Sequence, residues 1–112
     1  MLKDEYKNLT ELLLKLIKPR PGMYLGSNEI SKLPNFILGY YFSDIVSRGE
    51  GDFYFGEKGF LTWYTNKYKP EQMSFWEAYF LTETENNEHK ALDLYFKRLE
   101  EYSEWYHSIN LH

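Results

Sequence analysis

The chain has 112 residues, a length that suits one domain built on one core. It has no cysteine, which excludes disulfides and thiolate metal sites, and its net charge of −4 disfavours a nucleic-acid surface, where lysine and arginine must face phosphate. Aromatic residues make up 20% of it (11 Tyr, 8 Phe, 3 Trp), so some must fill the core while tyrosines with a polar end suit interfaces.

The charge is uneven. Residues 1–70 carry 10 basic and 8 acidic side chains, a balance of +2, whereas residues 71–112 carry 3 basic and 9 acidic, a balance of −6. The last third is an acidic, aromatic segment. It reads either as a surface for a basic partner or as an ordinary solvated helix face. Met1-Leu2-Lys3-Asp4-Glu5-Tyr6 lacks the apolar run of a secretory signal, and Leu12-Leu13-Leu14 is far short of a membrane span. The expectation is a cytoplasmic protein with no membrane and no nucleic acid among its partners.

The first element spans about 4–18, with Tyr6, Leu9, Leu13, Leu16 and Ile17 at helical spacing, and Pro19 and Pro21 end it. Gly22 to Gly26 reads as a bounded loop, and Ser27 or Asn28 caps the second helix. Ile30, Leu33, Ile37, Tyr40, Tyr41 and Ile45 make the next apolar stripe, with regular helix starting near Leu33 because of Pro34. Gly39 inside that stripe costs roughly 1 kcal/mol against alanine, which suggests close approach of another backbone. Arg48 to Asp52 is a turn. Around 53–63 a short β-hairpin is one reading; the alternative, a helical face of Phe60, Leu61, Tyr64 and Tyr68, is favoured.

Pro70 breaks the chain again. Ser74 and Glu77 have capping-box spacing ahead of an apolar face of Phe75, Trp76, Tyr79 and Phe80. Asn86 or Asn87 starts a last helix that buries Ala91, Leu92, Tyr95, Leu99, Tyr102 and Tyr106. The sum is a mainly α, compact single-domain bundle of about five helices spanning 1–112.

Chemistry is sparse. The histidines His89, His107 and His112 include no pair at the three- or four-residue spacing that places two metal ligands on one helix face. There is no Gly-x-Ser-x-Gly and no glycine-rich phosphate loop. Neighbouring carboxylates such as Glu100/Glu101 and Glu101/Glu104 read more simply as solvated charge than as a hydrolytic pair. No catalytic residue, metal or cofactor is therefore assigned, and binding rather than catalysis is expected. The candidate partner-binding set is Glu77, Glu83, Glu85, Glu88, Glu101 and Glu104 for charge, with Trp76 and Trp105 as aromatic anchors.

The sharpest string is Pro19-Arg20-Pro21-Gly22-Met23-Tyr24-Leu25-Gly26. Prolines fix the backbone on either side of Arg20, and Gly22 permits a turn conformation that other residues resist. Met23, Tyr24 and Leu25 are expected to pack between the first two helices as a structural corner. The string resembles the Arg-Pro-Gly-Met-Tyr-Ile-Gly segment of the DNA gyrase B subunit and its ATPase relatives. The following helix, Phe36 to Asp44, lacks that family's Glu and Asn, and the glycine motifs are missing, so ATP binding is not inferred.

A wider pattern runs from the leucine-rich first helix through Arg20–Gly26, Gly59-Phe60, Trp63 and Ser74-Phe75-Trp76 to Ala91-Leu92-Asp93-Leu94-Tyr95-Phe96 with Leu99 and Tyr102. It is similar to small bacterial immunity proteins of contact-dependent inhibition and polymorphic toxin systems. The resemblance implies an antitoxin that binds a cognate toxin domain and blocks its active site. An acidic inhibitor fits a basic toxin, a ribonuclease being one candidate, because such sites bind phosphate. The alternative is a helical adaptor or regulatory module with no toxin partner.

Overall fold

In the computed structural model of the chain, residues 9–39, 59–73 and 75–110 are described. The expectations for Tyr6, Tyr40, Tyr41, Ile45, the turn at 48–52, residues 53–58 and the Ser74 cap lie outside them.

Helix α1, Leu9–Leu12, runs into a π-helical turn at Leu13–Ile17, closed by the Lys18 amide donating to the Leu13 carbonyl at 2.8 Å. Leu9, Leu12, Leu13 and Ile17 are buried, which gives this segment its inward face. Pro19 then removes an amide donor, and the Arg20 amide closes the end by donating to the Ile17 carbonyl.

Helix α2, Pro21–Leu25, occupies the stretch expected as a loop. Pro21 stands at the first helical position, where its fixed φ suits a helix and its missing N–H is not needed. The turn conformation expected at Gly22 falls instead at Gly26: Gly22 lies inside the helix, and Gly26 ends it in the left-handed region (φ 91°), its amide donating to the Gly22 carbonyl at 3.0 Å. The corner packs through Tyr24 and Leu25, which lie against the core, whereas Met23 is 68% exposed and does not.

A 3-10 turn, Ile30–Lys32, leads into helical residues 33–39, here α3. Glu29 rather than Ser27 or Asn28 holds the cap position, and no side chain caps it. Pro34 falls in the first turn of α3, where it is tolerated. Ile30, Leu33 and Ile37 are buried as the spacing predicts. A Cβ on Gly39 would meet no described atom within 4 Å, so the expected close backbone approach is not there among the described residues.

Helix α4, Phe60–Tyr68, settles the ambiguous segment from residue 60 on: it is helical, and the hairpin alternative fails there. Lys69 (φ 48°) and Pro70 terminate it. Helix α5, Glu77–Glu83, is followed by a turn with Glu85 and Asn86 at positive φ. Helix α6, Glu88–Asn110, begins where Asn87 Oδ1 accepts the Lys90 amide at 2.9 Å, the expected N-cap.

The fold is all α among the described residues. Helix α6 is its spine and touches α5, α4, the 3-10 turn and the π-helical turn. Phe60 sits at the centre of the aromatic half of the core. Its ring centroid lies 5.3 Å from that of Tyr95, 5.6 Å from Tyr102 and 6.4 Å from Phe80. The other half is aliphatic: Leu13, Ile17, Ile30, Leu33, Leu92 and Leu99 are fully buried. Burying a side chain of this size contributes roughly 1.5–3 kcal/mol, so the two clusters supply most of the drive to fold.

Three positions depart from the predicted stripes. Phe75 is 70% exposed because it precedes the first turn of α5, outside its inward face. On α6 the buried stripe takes in Phe96 and loses Tyr106, which is 38% exposed with its ring centroid 5.9 Å from that of Tyr102.

Candidate functional site

Helices α4, α5 and α6 bring two of the expected carboxylates to one side of the molecule. Tyr64 and Tyr68, one turn apart on α4, lie with ring centroids 5.3 Å apart. Tyr64 donates its hydroxyl to Glu83 Oε2 on α5 at 3.5 Å, and Tyr68 donates its hydroxyl to Glu101 Oε1 on α6. The tyrosine pair therefore links side chains 18 residues apart in sequence.

Glu101 is the hub of this polar cluster. Arg98 Nη1 donates to its Oε2 at 2.9 Å, and Lys67 Nζ lies 3.5 Å from its Oε1. Burial pushes the Glu101 carboxyl up. The hydrogen bonds from Tyr68 and Arg98 and the charges of Arg98 and Lys67 outweigh that, and hold it below the usual carboxylate range. Burial, then the bond to Glu101, pushes the Tyr68 phenol up. Burial, then the neighbouring Glu83 charge, does the same to Tyr64.

Beside this cluster an open groove of about 450 Å³ is lined by Trp63, Asn66, Lys67, Glu101 and Trp105. Two indoles, an amide, an ammonium and a carboxylate suit recognition of a side chain. Lys67 Nζ lies 5.3 Å from the Trp63 ring centre and 5.4 Å from that of Tyr68, so the groove already holds a cation against aromatic faces.

The other candidate residues separate by what holds them. Glu88 Oε1 accepts the Ser31 amide at 3.0 Å and so ties the start of α6 to the 3-10 turn. Trp76 packs on Phe80 and Tyr95 with ring centroids at 6.3 and 5.3 Å, on the core side. Trp105 is half-buried against Tyr102. Glu77, Glu85 and Glu104 have no ion pair and no side-chain hydrogen bond among the described residues, and Glu85 and Glu104 are exposed. Arg20 and Pro21 bound the corner, Arg20 exposed, with Gly22, Tyr24 and Gly26 shaping it.

Spacing alone did not point to Trp63, Asn66, Lys67, Tyr68 or Arg98. The Arg98/Glu101 pair at i, i+3 is legible on α6. The α4 residues that complete the cluster depend on a helix pairing that sequence does not reveal.

Among the described residues, no group of three His, Asp or Glu side chains is placed to hold a metal. His107 Nδ1 donates to the Ser103 carbonyl at 2.8 Å, so this nitrogen is not poised as a base toward Ser103 Oγ, 3.4 Å away. No described helix is long and apolar enough to cross a membrane. Compared with known proteins, the chain matches no family model, no curated protein and no solved structure at a significant level.

Proposed function

We propose that this chain is a protein-binding antitoxin of the immunity type, acting in the cytoplasm on a basic toxin domain, with a ribonuclease the favoured class. One observation carries the reading. The acidic third of the chain folds into α5, α6 and the turn between them, and it leaves Glu83, Glu85 and Glu104 exposed on elements anchored by an aromatic core. Exposed carboxylates on a fixed scaffold speed the approach of a basic partner and resist phosphate. The groove at Trp63 and Trp105 adds the aromatic anchoring that interface hot spots use. The order of elements around Arg20–Gly26 adds the resemblance to immunity proteins.

The reading assigns the chain no turnover and no cofactor. Its test is charge reversal in complex with the cognate toxin. Glu85→Lys and Glu104→Lys together are expected to weaken binding more than tenfold while the helical circular dichroism is kept. Glu83 and Glu88 are left intact, because they hold the Tyr64 hydroxyl and the Ser31 amide and their loss would confound stability with binding. An unchanged dissociation constant in the folded double variant would remove this surface from the interface.

A further inference from the structure

We infer that the groove between α4 and α6 receives an acidic side chain of the partner protein together with a neighbouring apolar one, and that Lys67 is its charged contact. The charges at Glu101 decide the sign of the ligand. Arg98 Nη1 bonds one carboxylate oxygen at 2.9 Å and the Tyr68 hydroxyl bonds the other, so Glu101 is satisfied without Lys67. Lys67 is a second cation beside it, 3.5 Å away, with its side chain 52% exposed. Two cations against one carboxylate leave one positive charge in surplus at the groove, and Lys67 carries it to the surface.

The rest of the lining fits a carboxylate with an apolar neighbour. The Trp63 and Tyr68 rings hold the Lys67 ammonium beside the groove, and its three N–H donors exceed what one distant contact with Glu101 uses. Asn66, next to it on α4, is exposed and makes no hydrogen bond among the described residues, so its amide can donate to the same carboxylate. An exposed charge pair contributes little by itself. Here Trp63 and Trp105 add apolar walls, and the groove volume of about 450 Å³ exceeds what a carboxylate alone fills. Glu104, the sequence neighbour of Trp105, is exposed as well. The surface thus sets an acid near a cation, and such alternation fixes the register of a charged interface.

The site rests on the antitoxin reading only for who presents the carboxylate, so it is tested without a toxin. The probe is N-acetyl-L-phenylalanine, a carboxylate beside a ring, titrated into the full chain while the indole N–H signals of its three tryptophans are followed by NMR. Trp63 and Trp105 are expected to shift saturably and Trp76, packed on the core, to stay still. N-acetyl-L-phenylalanine amide keeps the ring and loses the charge, and should bind about threefold more weakly, the scale of one exposed charge pair. Lys67→Gln should weaken the acid to the level of the amide and leave the amide unchanged. Glu101 keeps Arg98 and Tyr68 in that variant, so the helix pairing is retained. The inference is overturned by equal affinity for acid and amide in wild type, by an undiminished response to the acid in Lys67→Gln, by no shift at Trp63 or Trp105, or by tighter binding of N-acetyl-L-arginine amide than of the acid.

Discussion

The Arg98 guanidinium carbon lies 4.3 Å from the centre of the Tyr68 ring. This contact joins α6 to α4 through a side chain that is mostly buried, and the same guanidinium bonds Glu101. Arg98→Ala removes the stack and leaves Glu101 without its guanidinium partner. It is expected to destabilise the fold by about 2–3 kcal/mol, the scale of a lost charged hydrogen bond plus a cation–π contact. Tyr68→Phe keeps the ring and loses only the hydroxyl donor to Glu101, so it should cost about 1 kcal/mol. Urea unfolding midpoints measure both, and equal costs would show that stacking contributes nothing.

Acid should weaken this cluster in a defined window. The folded Glu101 carboxyl titrates below its ordinary value, so its contribution is fully present above the unfolded pKa and is lost as pH falls through the lower folded one. Glu101→Gln is therefore expected to be less stable than wild type at pH 7. The gap should narrow below about pH 4, where the unfolded carboxyl is already protonated. A gap that is constant from pH 7 to pH 3 would mean that the charge of Glu101 does not stabilise the fold.

The corner at 19–26 makes a contrast between two glycines. Gly26 has φ 91°, a conformation that strains any residue with a Cβ, so Gly26→Ala should cost about 1–2 kcal/mol. At Gly22 a Cβ would meet only the end of the Asn28 side chain at 3.0 Å, which can move aside. Gly22→Ala should therefore cost no more than about 0.5 kcal/mol. Thermal melts of the two variants decide whether the motif is a shaped corner.

Two phenylalanines should differ as sharply. Phe60 is fully buried against Phe80, Tyr95 and Tyr102, and Phe60→Ala should cost about 3–5 kcal/mol. Phe75 is exposed, and Phe75→Ser should stay within about 0.5 kcal/mol of wild type. A large loss at Phe75 would place it in the core, as its sequence pattern suggests.

Helical periodicity made much of the fold legible. Leu9, Leu13 and Ile17, then Ile30, Leu33 and Ile37, then Ala91 to Tyr102 are apolar at helical spacing and are buried. The misses have local causes. Pro21-Gly22 reads as punctuation, yet proline at the first helical position starts α2. Phe75 lies ahead of the first turn of α5, and Tyr106 is exposed although its ring lies beside Tyr102. The candidate surface was half legible. The exposed acids follow from charge counting, but Glu88 and Trp76 turn out to serve the fold, through Ser31 and Tyr95. The Lys67, Tyr68, Arg98 and Glu101 cluster needs the pairing of α4 with α6, and no single-helix pattern encodes that.

The proposed antitoxin role requires this chain to neutralise a toxic partner by binding it. The most direct measurement is affinity capture of the tagged protein from cells of its own organism, followed by co-expression of the captured partner with and without it. The expected result is one stoichiometric partner with a basic domain that arrests growth alone and is silenced by this chain. A partner that is harmless by itself, or one whose toxicity persists in the complex, would overturn the antitoxin role.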